Sequence, residues 1–167
     1  LMIVGDAFGR PIVDALVNNP RKIPSLKNIV TGGAITTANI KAQLLELLPD
    51  INIIDAAGSS ETGTQAQHVS NKSVGAKTGQ FTLNEGNAIL NEDMTAVLKP
   101  GHEGLGWWAQ TGFIPLGYFD DKKKTESTFV TVEGTRYSVP GDRVRLLRRG
   151  HDVQLAFGRA LARRSDG

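Results

Sequence analysis

Two short runs of small residues hold the groups from which a phosphate site is built. Thr31-Gly32-Gly33-Ala34 would let a flat ring or a phosphate approach the backbone closely, because its two glycines lack a Cβ. Gly58-Ser59-Ser60-Glu61 offers backbone N–H groups, two hydroxyls and a carboxylate, the inventory that holds a phosphate and its Mg²⁺. Each glycine is equally what a plain tight turn requires, and short glycine motifs recur by chance. No Gly-Lys-Ser/Thr follows either run, so neither is a P-loop. Further along, Asp142 follows Gly141, where a carboxylate can accept both hydroxyls of a ribose and can equally act as a turn former.

The elements that position these runs are legible from periodicity. Pro11 suits the first turn of a helix, with Ile12, Val13, Leu16 and Val17 on one face and Asn18-Asn19-Pro20 as its stop. Lys27-Asn28-Ile29-Val30 reads as a strand that ends in the first glycine turn. Thr36 or Thr37 can cap the next helix, in which Ile40, Leu44, Leu47 and Leu48 recur at helical spacing. Ile51-Asn52-Ile53-Ile54 is a second strand, running into Asp55 and the second small-residue run. Strand, turn, helix and strand make a βαβ unit with parallel strands, and the carboxyl edge of such a sheet is where ligands bind.

After about residue 80 the character becomes β-rich and antiparallel. Met94–Lys99, Gly106–Gln110, Ser127–Val132 and Tyr137–Leu147 are strand candidates, with Glu133-Gly134 as a hairpin turn between the last two. Trp107-Trp108 lies in one of them, with one ring packing inward or stacking on a ligand. Lys122-Lys123-Lys124 reads as a solvated turn. The division expected is a βαβ part over 1–93, a β-rich part over 94–147 and a divergent or disordered basic tail over 148–167.

Composition narrows the classes. The 167 residues are the size of one domain and 40% apolar, enough for an ordinary core. The absence of cysteine excludes disulfide scaffolds, thiolate metal sites and cysteine nucleophiles within these residues, and fits a cytoplasmic location. No apolar stretch is long enough to span a bilayer. Residues 1–10 lack the pattern of a signal peptide. His68, His102 and His151 have no second ligand at metal spacing. The net charge of +2 conceals an asymmetry, −3 over residues 1–142 and +5 over 143–167, where seven arginines and no lysine occur. DNA binding through that end would require a steep loss of affinity with salt, and no nucleic-acid partner is expected.

The runs also occur in one order. Thr31-Gly32-Gly33-Ala34, Gly58-Ser59-Ser60-Glu61-Thr62-Gly63, Gly112-Phe113-Ile114-Pro115-Leu116-Gly117-Tyr118 and Gly141-Asp142 together resemble the adenylate-forming superfamily. Within it, the chain is similar to the AMP-forming bacterial fatty-acyl-CoA ligases of lipid metabolism, from Ile3-Val4-Gly5-Asp6 to about Leu147. The resemblance implies an α/β fold, with a βαβ sheet portion followed by a β-rich, barrel-like portion, part of the family's large N-terminal domain. It implies a two-step reaction: ATP and a carboxylic acid such as a fatty acid give an acyl-adenylate and pyrophosphate, and the thiol of CoA then displaces AMP. It carries Gly32, Gly33 and Ala34 to the adenine site and acyl tunnel, with Gly58 and Ser59 in the phosphate turn. Ser60 then contacts the α-phosphate, Glu61 is the Mg²⁺ ligand and Asp142 the ribose clamp. Ala57 departs from the aromatic that many relatives stack on adenine. The family's phosphate loop and the C-terminal domain with its catalytic lysine are not among these residues, so the chain alone is expected to be inactive, with the remainder of the enzyme as a partner. A non-catalytic nucleotide-binding domain and a gene remnant are the alternatives.

After Leu147 the family expects a hairpin, a Gly-Arg pair and a hinge. Gly158-Arg159 fits the pair, with Arg159 reaching the ribose or a phosphate. The sudden Arg/Ala/Gly character also fits a shifted reading frame, so a frameshifted or truncated tail and a divergent in-frame hairpin are the two readings of this end.

Overall fold

The computed structural model describes residues 1–147 and 152–156. It divides into two compact units, one of residues 1–57 and 67–78, the other of 58–66 and the described residues from 79 onward.

In the first unit, β1 (Met2–Ile3), β2 (Asn28–Thr31) and the opening of β3 (Asn52–Ser59) are parallel neighbours, with Thr31 opposite Asp55. Helices α1 (Gly5–Asn18) and α2 (Ala38–Leu47) supply the crossovers. The core is aliphatic: Ile29, Ile40, Leu44 and Ile53 are fully buried, with Val13 and Leu16 of α1 packed among them. Thr37 is the N-cap of α2, its hydroxyl accepting from the Ile40 N–H, and the Asp6 carboxylate accepts from the Thr37 N–H at 2.8 Å.

Helix α1 starts six residues earlier than Pro11 implies, and Pro11 lies inside it. Gly5 and Gly9, which weaken a helix in isolation, are what the packing requires. A Cβ on Gly9 would stand 2.6 Å from Ile40 Cγ2, so the glycine lets α1 close onto α2.

Strand β3 passes the expected turn at Asp55 and continues to Ser59. A tight turn then returns the chain as β4 (Gly63–Ser70), hydrogen-bonded beside β3 and therefore antiparallel to it.

The second unit is built on an antiparallel sheet. Its strands are β5 (Gln80–Leu83), β6 (Asn87–Leu90), β7 (Gly106–Gln110), β8 (Phe129–Val132), β9 (Thr135–Ser138), β10 (Arg143–Leu146) and β11 (Asp152–Leu155). The order is β5-β11-β10-β7-β9-β8, with β6 also on β7. The path runs open from β5 to β8, so among the described residues the sheet is not closed as a barrel.

Glu133 and Gly134 both have positive φ (51° and 77°), the backbone of a two-residue hairpin turn, and they pair Val132 with Thr135 as expected. Trp108 is the inward ring, fully buried against Phe81, its indole N–H donating to Asn87 Oδ1 at 2.6 Å. Trp107 is part-exposed under the Arg143 guanidinium at 4.1 Å.

Three local expectations are corrected. Residues 94–99 form no strand, only an isolated bridge between Val97 and Leu90. Lys122–Thr128 is helix α3, capped by the Asp121 carboxylate on the Lys124 N–H, so the lysine run is solvated but helical. Residues 152–155, grouped with the tail on composition, form β11, which pairs with both β10 and β5, with Val153 fully buried. Alternation of Val153 and Leu155 with polar neighbours is the pattern a strand needs, and local arginine content does not oppose it. Gly158 and Arg159 lie outside the described residues.

Candidate functional site

In the first unit, Gly32-Gly33-Ala34 turns the chain out of β2 at the carboxyl end of the parallel strands. Gly33 has φ +73°, which favours glycine, and a Cβ on Gly32 would stand 3.0 Å from the Ala56 carbonyl oxygen of β3. Gly33 and Ala34 are exposed. The turn is braced from behind. Thr31 and Thr36 are joined hydroxyl to hydroxyl, the Thr78 hydroxyl donates to the Thr36 carbonyl at 3.0 Å, and the Asp6 N–H donates to the Ile35 carbonyl.

Beneath it lies a charge pair that sequence reading missed. Lys41 of α2 is fully buried and its Nζ donates to Asp55 Oδ2 at 2.6 Å and to the Lys77 carbonyl. Burial pushes the Asp55 carboxyl above the ordinary range, against the hydrogen bond and charge of Lys41 and the nearby charge of His68. Lys41 follows Ile40 on the apolar stripe of α2, and a cation there was the available signal.

In the second unit, Ser59, Glu61 and Thr62 are knitted by their own hairpin. The Ser59 N–H donates to the Thr62 hydroxyl at 3.0 Å, the Ser59 and Thr62 hydroxyls are 3.1 Å apart, and the Glu61 N–H donates to Ser59 Oγ at 3.2 Å. Ser60 at the tip is exposed. Gly58 sits where the two strands touch: a Cβ there would meet the Gly63 carbonyl oxygen at 1.9 Å.

The hairpin has a partner in the Gly112–Tyr118 run, to which the motif itself assigns no role. The Tyr118 hydroxyl donates to Glu61 Oε1 at 2.5 Å. That hydrogen bond holds the Glu61 carboxyl below its ordinary range, outweighing partial burial, with help from the Ser59 hydroxyl, its own N–H and the charge of Lys124. Burial and Glu61 push the Tyr118 phenol up. Glu61 is therefore the ionised acceptor and Tyr118 the protonated donor.

Asp142 lies elsewhere in the same unit. Its carbonyl accepts from the Trp108 N–H at 2.9 Å, and burial raises its carboxyl. Among the described residues no hydrogen bond joins its side chain to Glu61 or Tyr118.

Among the described residues no group of three or more His, Asp or Glu could form a metal cage. A lone, part-exposed carboxylate does fit a Mg²⁺ that arrives on phosphates, because that ion keeps waters and takes few protein ligands. No helix of the described residues is long and apolar enough to cross a membrane.

No protein-family model matches the chain. Curated relatives do. The medium-chain acyl-CoA ligase Mig of Mycobacterium avium is 45% identical over 149 residues, which is 89% of this chain and 27% of that protein. A medium/long-chain-fatty-acid–CoA/3-oxocholest-4-en-26-oate–CoA ligase of Mycobacterium tuberculosis is 39% identical over 162 residues, 95% of this chain and 29% of that protein. The fold matches the N-terminal subdomain of Klebsiella oxytoca NpsA in complex with 3-hydroxybenzoyl-AMSN, with TM-score 0.69 and 18% identity over 95% of this chain and 41% of that one. It also matches the Vibrio cholerae adenylation domain AlmE in complex with glycyl-adenosine-5'-phosphate, with TM-score 0.68 and 18% identity over 93% and 30%. The chain spans about a quarter of the length of the curated relatives it matches, 27% and 29% in the two cases. In sequence the chain is similar to one segment of medium- and long-chain acyl-CoA ligases, and in fold to one part of adenylation domains.

Proposed function

We propose that this chain is the nucleotide-facing segment of a fatty-acid–CoA ligase, with ATP, a carboxylic acid and CoA as the whole enzyme's substrates. The observation that carries the reading is the Gly58–Gly63 hairpin, whose ionised carboxylate and hydroxyls lie in a stretch 45% identical to an acyl-CoA ligase. Ser60 is the α-phosphate contact, Glu61 the Mg²⁺ ligand and Asp142 the ribose clamp. Gly32, Gly33 and Ala34 line the adenine side, and Gly58 and Ser59 shape the phosphate turn.

When bound, Mg²⁺ would offset charge on the phosphates as the carboxylate attacks. The chain's own part is to hold the nucleotide in place, an electrostatic and positional contribution. A chain about a quarter of its relatives' length, 27% of the Mycobacterium avium ligase, supplies only some of those contacts. We therefore expect no fatty-acid-driven ATP–pyrophosphate exchange from it alone. Exchange at a measurable rate would show that these residues suffice.

The clamp is tested separately by Asp142→Ala. Affinity for Mg·ATP is expected to fall about tenfold, as for a lost charge-assisted hydrogen-bond pair, while affinity for Mg·tripolyphosphate, which has no ribose, stays unchanged. An equal loss for both ligands would remove Asp142 from the ribose site.

A further inference from the structure

We propose that Tyr118 is the positioning residue for Glu61, its hydroxyl fixing one carboxylate oxygen so that the hairpin presents a preset ligand to a nucleotide-borne divalent cation. This rests on the reading of Glu61 as the cation ligand. A glutamate at a hairpin tip has three rotatable bonds, and ordering it on binding would cost affinity. Here that cost is met in advance.

Tyr118 is itself held from several sides. Its N–H donates to Thr125 Oγ1 at 2.9 Å, and that hydroxyl donates to the Asp121 carbonyl at 2.8 Å. Its ring packs on Phe129 at 5.8 Å between centroids, with Lys124 Nζ 4.1 Å from the ring. Gly117 allows this approach, since a Cβ there would stand 2.6 Å from Thr125 Cγ2. The segment before it is clamped by Arg136, whose guanidinium donates to the Pro115 and Leu116 carbonyls at 2.9 Å each. The phenol, anchored at backbone and ring, donates to Oε1 of a part-exposed carboxylate and so engages one of its two oxygens.

The test is a double-substitution cycle on this chain with Tyr118→Phe, Glu61→Gln and both together. Calorimetric titration uses Mg·ATP, and ATP in EDTA as the metal-free control. Tyr118→Phe keeps the ring on Phe129, and a denaturation curve checks that it folds. Its expected effect is an affinity for Mg·ATP about three- to tenfold weaker, the range of one lost hydrogen bond. Metal-free ATP should bind as before, and Tyr118→Phe should add nothing once Glu61 is Gln. Additive losses, an equal loss without metal, or tighter binding by Tyr118→Phe would each overturn the positioning role while leaving Glu61 as a ligand. If Glu61→Gln itself changes nothing, or the parent chain binds no Mg·ATP at millimolar concentration, the reading beneath the proposal fails and the proposal with it.

Discussion

Lys41→Met is expected to destabilise the chain by about 3–5 kcal/mol at pH 7, the cost of leaving a buried charge without its partner. Lys41 is fully buried and holds Asp55 Oδ2 at 2.6 Å, on a strand that runs on toward the hairpin of Glu61. The pair as a whole is not a large source of stability. Burial raises the Asp55 carboxyl even with Lys41 beside it, so desolvation exceeds what the ion pair returns.

The sign with pH follows. A carboxyl whose pKa is higher in the folded than in the unfolded chain favours folding below its unfolded value, and that contribution is lost as pH rises through the folded value. Lys41→Met removes the hydrogen bond and the charge that now oppose the rise, so the folded pKa of Asp55 climbs further. The deficit of the variant should therefore be largest at neutral pH and shrink on acidification. Lys41→Met with Asp55→Leu should recover most of the loss, because no unpaired charge remains. Urea denaturation at pH 5 and pH 7 measures both. A deficit independent of pH, or a double substitution worse than the single, would contradict this view of the pair.

Gly58→Ala is expected to cost on the order of 2–3 kcal/mol and to abolish measurable Mg·ATP binding. The new Cβ would stand 1.9 Å from the Gly63 carbonyl oxygen, 2.9 Å from its carbonyl carbon and 3.0 Å from Thr64 Cα. All three are backbone atoms, so no side chain can swing away, and the two strands joined by the turn that holds Glu61 must separate. Gly63 is the control. It has φ +66° but an added Cβ would meet nothing within 4 Å, so Gly63→Ala carries only the backbone penalty, about 1 kcal/mol. The glycine of the phosphate-type run is thus explained by strand contact. Denaturation and nucleotide titration of the two variants should rank Gly58→Ala as much the more damaging. Equal effects would show that the contact is relieved cheaply.

Much of this was legible in the sequence because it is local. The capping hydroxyl of Thr37, the hairpin turn at Glu133-Gly134 and the strand Gly106–Gln110 are set by neighbours within a few residues, and all three form as read. What was not legible depends on partners far along the chain. Gly9 argues against a helix until Ile40 is known to lie against it, and Gly5 until Ala34 and Ile35 are known to do so. The span 94–99 has the residues of a strand, but its one ladder contact is the bridge from Val97 to Leu90. Arginine content set residues 152–155 apart, whereas pairing with β5 and β10 depends on alternation and on an available sheet edge.

The candidate site divides the same way. The motifs gave the Ser59–Glu61 run and Asp142 as residues to watch. The contact from Tyr118 to Glu61 spans 57 positions, and that between Lys41 and Asp55 needs a buried cation on an apolar helix face. Neither follows from spacing.

The most direct measurement is calorimetric titration of Mg·ATP into the parent chain and into Glu61→Gln. The expected result is metal-dependent binding that weakens more than about tenfold in the variant, with metal-free ATP unaffected. Identical Mg·ATP affinities in the two chains would contradict the assignment of the Gly58–Gly63 hairpin as the cation and phosphate contact.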